Sequence, residues 1–96
     1  MLEIKRGADG SVMLCGRFDA ASEHSAREAF EQLSGAVVID CRQLRYISSA
    51  GIGVLFATHR RLVAVGGGLE LQGLSPHIHE MLVMTGFAEV LPMARA

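Results

Sequence analysis

The chain has 96 residues, 50% of them hydrophobic, with nine Lys and Arg against ten Asp and Glu and a formal net charge of −1. This length makes one domain over residues 1–96 with one modest core. The scattered, balanced charge points away from nucleic acid and from anionic membranes. No apolar run approaches the roughly 18 residues of a membrane span, so direct membrane insertion is not expected. The N-terminal MLEIKRG lacks the apolar centre of a signal peptide. Cys15 and Cys41 form no CxxC and sit in apolar runs, which reads as two reduced, buried thiols in a cytoplasmic protein.

In chain order, Leu2-Glu3-Ile4-Lys5 alternates as a half-buried strand, and Gly7-Ala8-Asp9-Gly10 is a turn signal. Ser11 to Phe18 forms the second strand of an antiparallel hairpin, with Val12, Leu14, Gly16 and Phe18 on one face. Asp19 reads as a helix cap. From Ala20 the period becomes helical, with Ala26, Ala29, Phe30 and Leu33 inward, and Ser34-Gly35 ends it. Ala36 to Cys41 reads as a central strand covered on both faces or nearly so, and Arg42 to Ile47 as a connector.

After Ser49 the spacing is helical again, and Ile52, Leu55, Phe56, His59, Leu62 and Val63 form the expected inner stripe. Gly66-Gly67-Gly68 stops this helix. Leu69-Glu70-Leu71-Gln72 alternates as a fourth strand, and Ser75-Pro76 opens a third helix with Ile78, Leu82 and Val83 inward. Gly86 ends that helix, and Val90 to Met93 adds a short edge strand. The expected class is α/β: a mixed four- to five-stranded sheet in the order β-β-α-β-α-β-α-β, with helices mainly on one face.

The seam YISSAGIG, residues 46–53, puts two serines between a strand and a helix. Ser48 or Ser49 there can be a simple N-cap. A phosphoryl group on Ser49 would add roughly −2 charge where the helix dipole and free N–H groups favour it. Gly53, Ala57, Arg60 and Ala64 lie on the outer face of this helix, flanked by Val54, Thr58 and Arg61, and this stripe runs back to Ser49. Small residues let a partner backbone approach, and Gly53 costs the helix about 1 kcal/mol against Ala.

Other chemistries fit poorly. A hydrolase nucleophile elbow needs Gly where Ile47 stands, and His59 falls on the inward stripe. His77 and His79 have no carboxylate or thiol spacing to complete a metal site, so no metal and no cofactor are expected. A phosphate loop would need a Lys that the seam lacks.

Taken together, these segments resemble the STAS domain of anti-sigma factor antagonists. The resemblance rests on Gly16-Arg17-Phe18-Asp19, on Val37-Val38-Ile39-Asp40 and on Tyr46 to Leu55, in which a Ser precedes x-Gly-Ile. It extends to Gly67-Gly68-Leu69-Glu70-Leu71, to Ser75-Pro76 and to Thr85-Gly86-Phe87, in the family's order. The resemblance implies a non-enzymatic regulator that binds an anti-sigma factor which is also a serine kinase of the GHKL type, and so frees a sigma factor. Phosphorylation would separate the pair, and a serine phosphatase would reset it.

Alignment through Gly51-Ile52-Gly53 makes Ser49 the implied phosphoacceptor, with Ser48 as second candidate. Ser48 stands where many phosphorylated members carry Asp. The implied docking residues are Asp19, Asp40, Ser48, Ala50, Gly51, Gly53, Val54, Ala57 and Arg60. Asp19 and Asp40 are expected at strand ends near Ser49, although Asp19 reads equally well as a cap alone. The last helix that many members carry is expected short or absent, exposing an apolar surface that invites a homodimer or partner contact. The resemblance also implies an alternative, because STAS proteins similar to this one act as small accessory subunits bound to the ATPase of a lipid-trafficking ABC transporter. In that role the serine-bearing helix end needs no phosphate.

Overall fold

The computed structural model describes residues 1–95. Strands β1 (Leu2–Arg6) and β2 (Val12–Phe18) form the antiparallel hairpin. Its turn closes with a hydrogen bond from the Gly7 N–H to the Ser11 carbonyl at 2.8 Å. Asp9 tightens the turn by accepting from both the Ser11 N–H at 3.0 Å and the Ser11 hydroxyl at 2.7 Å. Helix α1 (Glu23–Glu31), strand β3 (Ala36–Ile47), helix α2 (Ser49–Val63), strand β4 (Gly68–Leu74), helix α3 (Pro76–Met84) and strand β5 (Met93–Arg95) follow. Single 3-10 turns lie at Ala20–Ser22 and Phe87–Glu89. The sheet order is β1-β2-β3-β4-β5, with β2 to β5 parallel.

The hydrophobic alternation decides which face is covered. Val12, Ile39 and Leu71 are in register across β2, β3 and β4 and are fully buried. The adjacent row Met13, Asp40 and Gln72 lies on the opposite face, and none of the three is fully buried. The helices therefore sit on one face of the sheet, as the class implied, and among the described residues the other face has no helix. Val38 is only half-buried, so β3 is covered on one face rather than two.

Strand β3 is the main departure from the sequence expectation. Arg42 to Ile47 is not a connector but the second half of a twelve-residue strand. Its register with β2 slips twice, between Met13/Cys15 and Gly16/Arg17, where β3 carries the extra residues. These bulges break the alternation that marks a strand in sequence. Gly16, beside the second slip, has φ +98°, a left-handed conformation that glycine adopts without a Cβ penalty. The last strand is also displaced: it covers Met93–Arg95, and Val90 closes the preceding 3-10 turn.

Helix α2 is rotated from the expected stripe. Leu55 and Leu62 are buried as expected, but Phe56 is 36% and Val63 52% exposed. The buried set is Gly51, Val54, Leu55, Thr58 and Leu62. The cause is a neighbour that sequence periodicity does not see. Helix α1 packs against α2 as well as the sheet does. Arg61 bridges the two helices, donating to the Phe30 and Leu33 carbonyls at 2.8 and 3.1 Å. The same kind of shift leaves Val83 of α3 46% exposed while Ile78 and Leu82 are buried. His59 is half-buried, and its Nδ1 accepts the Leu69 N–H at 3.0 Å, tying α2 to the start of β4.

Two glycines of α2 now have opposite meanings. A Cβ on Gly51 would stand 2.9 Å from Phe18 and Ile47 side-chain atoms, whereas one on Gly53 would meet nothing within 4 Å. Gly51→Ala is expected to lower stability by roughly 1–3 kcal/mol through overpacking. Gly53→Ala is expected to raise it by up to about 1 kcal/mol through helix propensity. Urea titrations of the two variants against wild type check both signs.

Candidate functional site

The seam is built where β2 and β3 end side by side. Phe18 pairs with Ile47, and the next residue, Ser48, donates its N–H to the Phe18 carbonyl at 2.8 Å. Ser48 has extended backbone angles, φ −92° and ψ 173°, and its hydroxyl oxygen accepts the Gly51 N–H at 3.3 Å. Ser48 is thus the N-cap of α2, and Ser49 is the first helical residue. Helix α2 has no acidic residue in its first turn, so the positive end of its dipole is uncompensated within the helix.

Ser49 is exposed, Ser48 and Ala50 are half-buried, and Gly51 is buried against Phe18. Gly53, Ala57, Arg60 and Ala64 are all exposed, so the small-residue stripe lies open along α2. Val54 does not belong to it: it is 1% exposed and faces the core beside α1. Thr58 is also buried, with its hydroxyl donating to the Val54 carbonyl at 2.8 Å. The expected flank of Val54 and Thr58 is therefore interior.

The two aspartates part company. Asp19 directly follows Phe18 and so lies beside Ser48. It does not cap the helix in the ordinary way, because it makes no side-chain bond to a helix N–H. Its carboxylate instead accepts the Ser22 hydroxyl at 3.2 Å. Asp40 lies mid-strand, seven residues before Ile47, or roughly 20 Å away at strand rise. It belongs to the helix-free face, where it lines a shallow concavity of about 580 Å³ with Asp9, Ser11, Arg42 and Gln72. The expectation of Asp40 near Ser49 assumed that the strand ended at Cys41, and the bulged continuation of β3 removes that proximity.

Arg42 holds Asp40 there. Its Nε is 3.0 and 3.1 Å from the two carboxylate oxygens, and its own N–H donates at 3.0 Å. These bonds, the guanidinium's first, hold the Asp40 carboxyl below its ordinary 3.8 against the opposing effect of partial burial. Cys41 points to the other face. Burial, and then the nearby Asp40 charge, push its thiol up to about 12, so it stays protonated and inert. Cys15 lies on the helix-free face, so the two thiols do not face each other.

One neighbour of the seam was not legible in the sequence. The Arg17 guanidinium sits 4.2 Å from the Tyr46 ring centroid, and its Nε is 3.8 Å from the Asp19 carboxylate. Strand pairing brings these residues together across the β2–β3 register, a contact no local spacing reveals. Among the described residues, no group of three His, Cys, Asp or Glu could hold a metal ion. Among the same described residues, no helix is long and apolar enough to cross a membrane.

This arrangement supplies an exposed hydroxyl, a free helix N-terminus and an open small-residue surface, which suits recognition by another protein. Comparison with known proteins places it in a family. The family model described as "Mlab, STAS domain" matches residues 2–92, and the chain belongs to the STAS domain family. It is similar to BtrV of Bordetella bronchiseptica, a protein named for antagonism of an anti-sigma factor. The two are 40% identical over 60 residues, covering 62% of this chain and 52% of that protein. The match thus spans about half the length of that relative.

Among solved structures, an anti-sigma factor antagonist from Mycobacterium paratuberculosis superposes with a TM-score of 0.81 at 19% identity. That match covers 100% of this chain and 86% of the other. The phosphorylated form of the Bacillus cell fate determinant SpoIIAA superposes with a TM-score of 0.70 at 18% identity, covering 98% and 91%. At these identities the likenesses establish the fold.

Two outcomes follow from the geometry. Ser48→Ala is expected to cost roughly 0.5–2 kcal/mol as a lost cap. Ser49→Ala, which removes no cap, is expected to cost less than about 0.5 kcal/mol. Chemical denaturation distinguishes the two serines. Because the folded Asp40 carboxyl is held below 3.8, its stabilisation is complete above the unfolded value and is lost as pH falls through the folded one. The unfolding free energy of wild type relative to Asp40→Asn should therefore be flat above about pH 5 and shrink below about pH 4. Urea titrations across that range check it, and a difference that grows on acidification would contradict the sign.

Proposed function

We propose that the chain is an anti-sigma factor antagonist, a non-enzymatic binding module that docks an anti-sigma factor on the exposed face of α2. The observation that carries this reading is Gly53. It stands in an exposed helix position where a Cβ would touch nothing, and so has no internal packing reason for its helix cost. A surface kept flat beside an exposed Ser49 suits close approach by a partner backbone. The relationship to BtrV, named for antagonism of an anti-sigma factor, supports the same reading.

In this reading Ser49, Ala50, Gly53, Ala57 and Arg60 form the landing surface, and Asp19 and Ser48 shape its upper end. Gly51 and Val54 contribute from beneath, by setting the helix on Phe18 and α1, and Asp40 takes no part. The switch is phosphorylation of Ser49 by a partner that is both anti-sigma factor and GHKL-type serine kinase, with a serine phosphatase to reverse it. Ser49 is the better acceptor because it is exposed, while the Ser48 hydroxyl is engaged with the Gly51 N–H. A phosphoryl group of roughly −2 charge at the helix start is favoured by the dipole in the free protein. In the docked state the same charge would have to be desolvated or paired, which drives separation. The protein acts in the cytoplasm and needs no cofactor.

The test has two parts. Intact mass and peptide mapping of protein purified from its own cells should find phosphate, about 80 Da, on Ser49. Tagged wild-type protein should retain an anti-sigma factor kinase, and Ser49→Asp should weaken that complex by about 1 kcal/mol or more. Retention of an ABC-transporter ATPase in its place, unaffected by Ser49→Asp, would overturn the reading in favour of a transport subunit.

A further inference from the structure

We infer that the open edge of the sheet is a self-association surface, on which β1 pairs antiparallel with β1 of a second copy of this chain. Strand β1 ends the sheet and, among the described residues, is bonded to β2 alone. The register fixes which of its backbone groups are free. The Arg17 N–H donates to the Met1 carbonyl at 3.1 Å, and the Gly7 N–H to the Ser11 carbonyl at 2.8 Å, at the two ends of the ladder. In an antiparallel ladder bonded and non-bonded pairs alternate, so Met1, Glu3, Lys5 and Gly7 turn their N–H and C=O groups to β2. Leu2, Ile4 and Arg6 turn theirs to the open edge, where among the described residues nothing receives them. Leu2 and Ile4 pack on the core yet stay half-buried, because the sheet ends at β1. An edge of this kind is a template for another strand.

The charges select the strand. Glu3 and Lys5 are exposed and share the helix-free face with Cys15 and Met13, their partners on β2. Their own contact is loose, with the Lys5 Nζ 3.9 Å from a Glu3 carboxylate oxygen. A two-fold axis between the Ile4 residues of two copies sets Glu3 of each chain opposite Lys5 of its mate, and Leu2 opposite Arg6. In that register Leu2, Ile4 and Arg6 fall in hydrogen-bonded pairs, so every outward backbone group finds a partner. Glu3 and Lys5 fall in non-bonded pairs, where facing side chains come closest and opposite charges attract. A slip of two residues either way puts Glu3 on Glu3 or Lys5 on Lys5, and a slip of one sets outward groups against inward ones. The charges thus blunt the edge toward other strands and admit one register of its own copy. The axis stands perpendicular to the sheet, so Leu2 and Ile4 of both chains meet on the same face. The net charge of −1 offers little repulsion to such pairing. A standard interface buries about 800 Å² per partner, and a strand of 5 residues buries less, so the dimer is weak and depends on concentration. The inference uses neither Ser49 nor phosphate, and β1 has no part in the proposed docking face.

Two measurements on the full chain test it. Sedimentation equilibrium over roughly 10 µM to 1 mM should show the weight-average mass rising toward twice the monomer value. Over the same range, amide exchange followed by NMR should slow about two-fold or more at Ile4 and Arg6, whose N–H groups face the open edge. Glu3→Lys alone and Lys5→Glu alone should each hold the protein monomeric, and the two exchanges together should restore the rise. Both side chains are exposed, circular dichroism checks that the variants fold, and the wild-type exchange pattern decides the matter without them. Monomer at every concentration would overturn the inference. So would association that leaves Ile4 and Arg6 exchanging at the monomer rate, which would put the contact elsewhere. A dimer indifferent to both single reversals, or a folded double exchange that fails to restore it, would also overturn it.

Discussion

The contact on which the site depends is the one between Phe18 and the start of α2. The Phe18 carbonyl takes the Ser48 N–H at 2.8 Å, which fixes the point where β3 stops and the helix begins. The Phe18 ring lies fully buried beneath Gly51, so closely that a Cβ there would be 2.9 Å from ring atoms. The same ring meets Phe30 of α1 edge-on, with centroids 6.2 Å apart. One side chain thus sets the height of α2 above the sheet and the position of α1 beside it. Everything exposed at the seam, from Ser49 to Ala57, inherits its placement from that packing.

This placement separates buried, structural positions from exposed ones along one short segment. Ser48 and Gly51 serve the fold, one as cap and one as clearance for an aromatic ring. Ser49 and Gly53, alternating with them, point outward and do neither. The helical period turns adjacent residues to different sides. A tight strand-to-helix junction can therefore carry a rigid foundation and an open surface within six residues. Under the proposed docking, a surface held this rigidly would lose little side-chain entropy, since its residues are small.

Electrostatics sort the two faces of the molecule. On the helix-free face Asp40 and Arg42 satisfy each other, and Asp9 is occupied by Ser11. Around α2 the cations are held by aromatic rings: Arg17 over Tyr46 and Arg60 beside Phe56. Arg61 alone is consumed internally, at the end of α1. Helix α2 contains no acidic residue between Ser49 and Val63. Helix α2 thus adds no negative charge of its own near Ser49, and the nearest carboxylate at the seam is that of Asp19.

Much of this protein was legible in its sequence because it is written in local chemistry. The hairpin turn at Asp9-Gly10, the cap at Ser75 before Pro76, and the stop at Gly86 with φ +80° are decided by residues within a few positions of each other. Alternation in β2 and β4 and the parallel order of β2 to β4 also followed from pattern and chain connectivity. Three things did not. The second half of β3 looked like a loop, because its two bulges exist only against β2 and erase the alternation that signals a strand. Asp40 was therefore put at the seam when it lies on the helix-free face. The buried side of α2 could not be chosen, because Leu55 and Leu62 fit two neighbouring stripes equally well. Sequence periodicity reports that a helix has an apolar face. Which part of a wide apolar face is covered depends on where the second helix and the sheet meet it, and that geometry is a property of the assembled core.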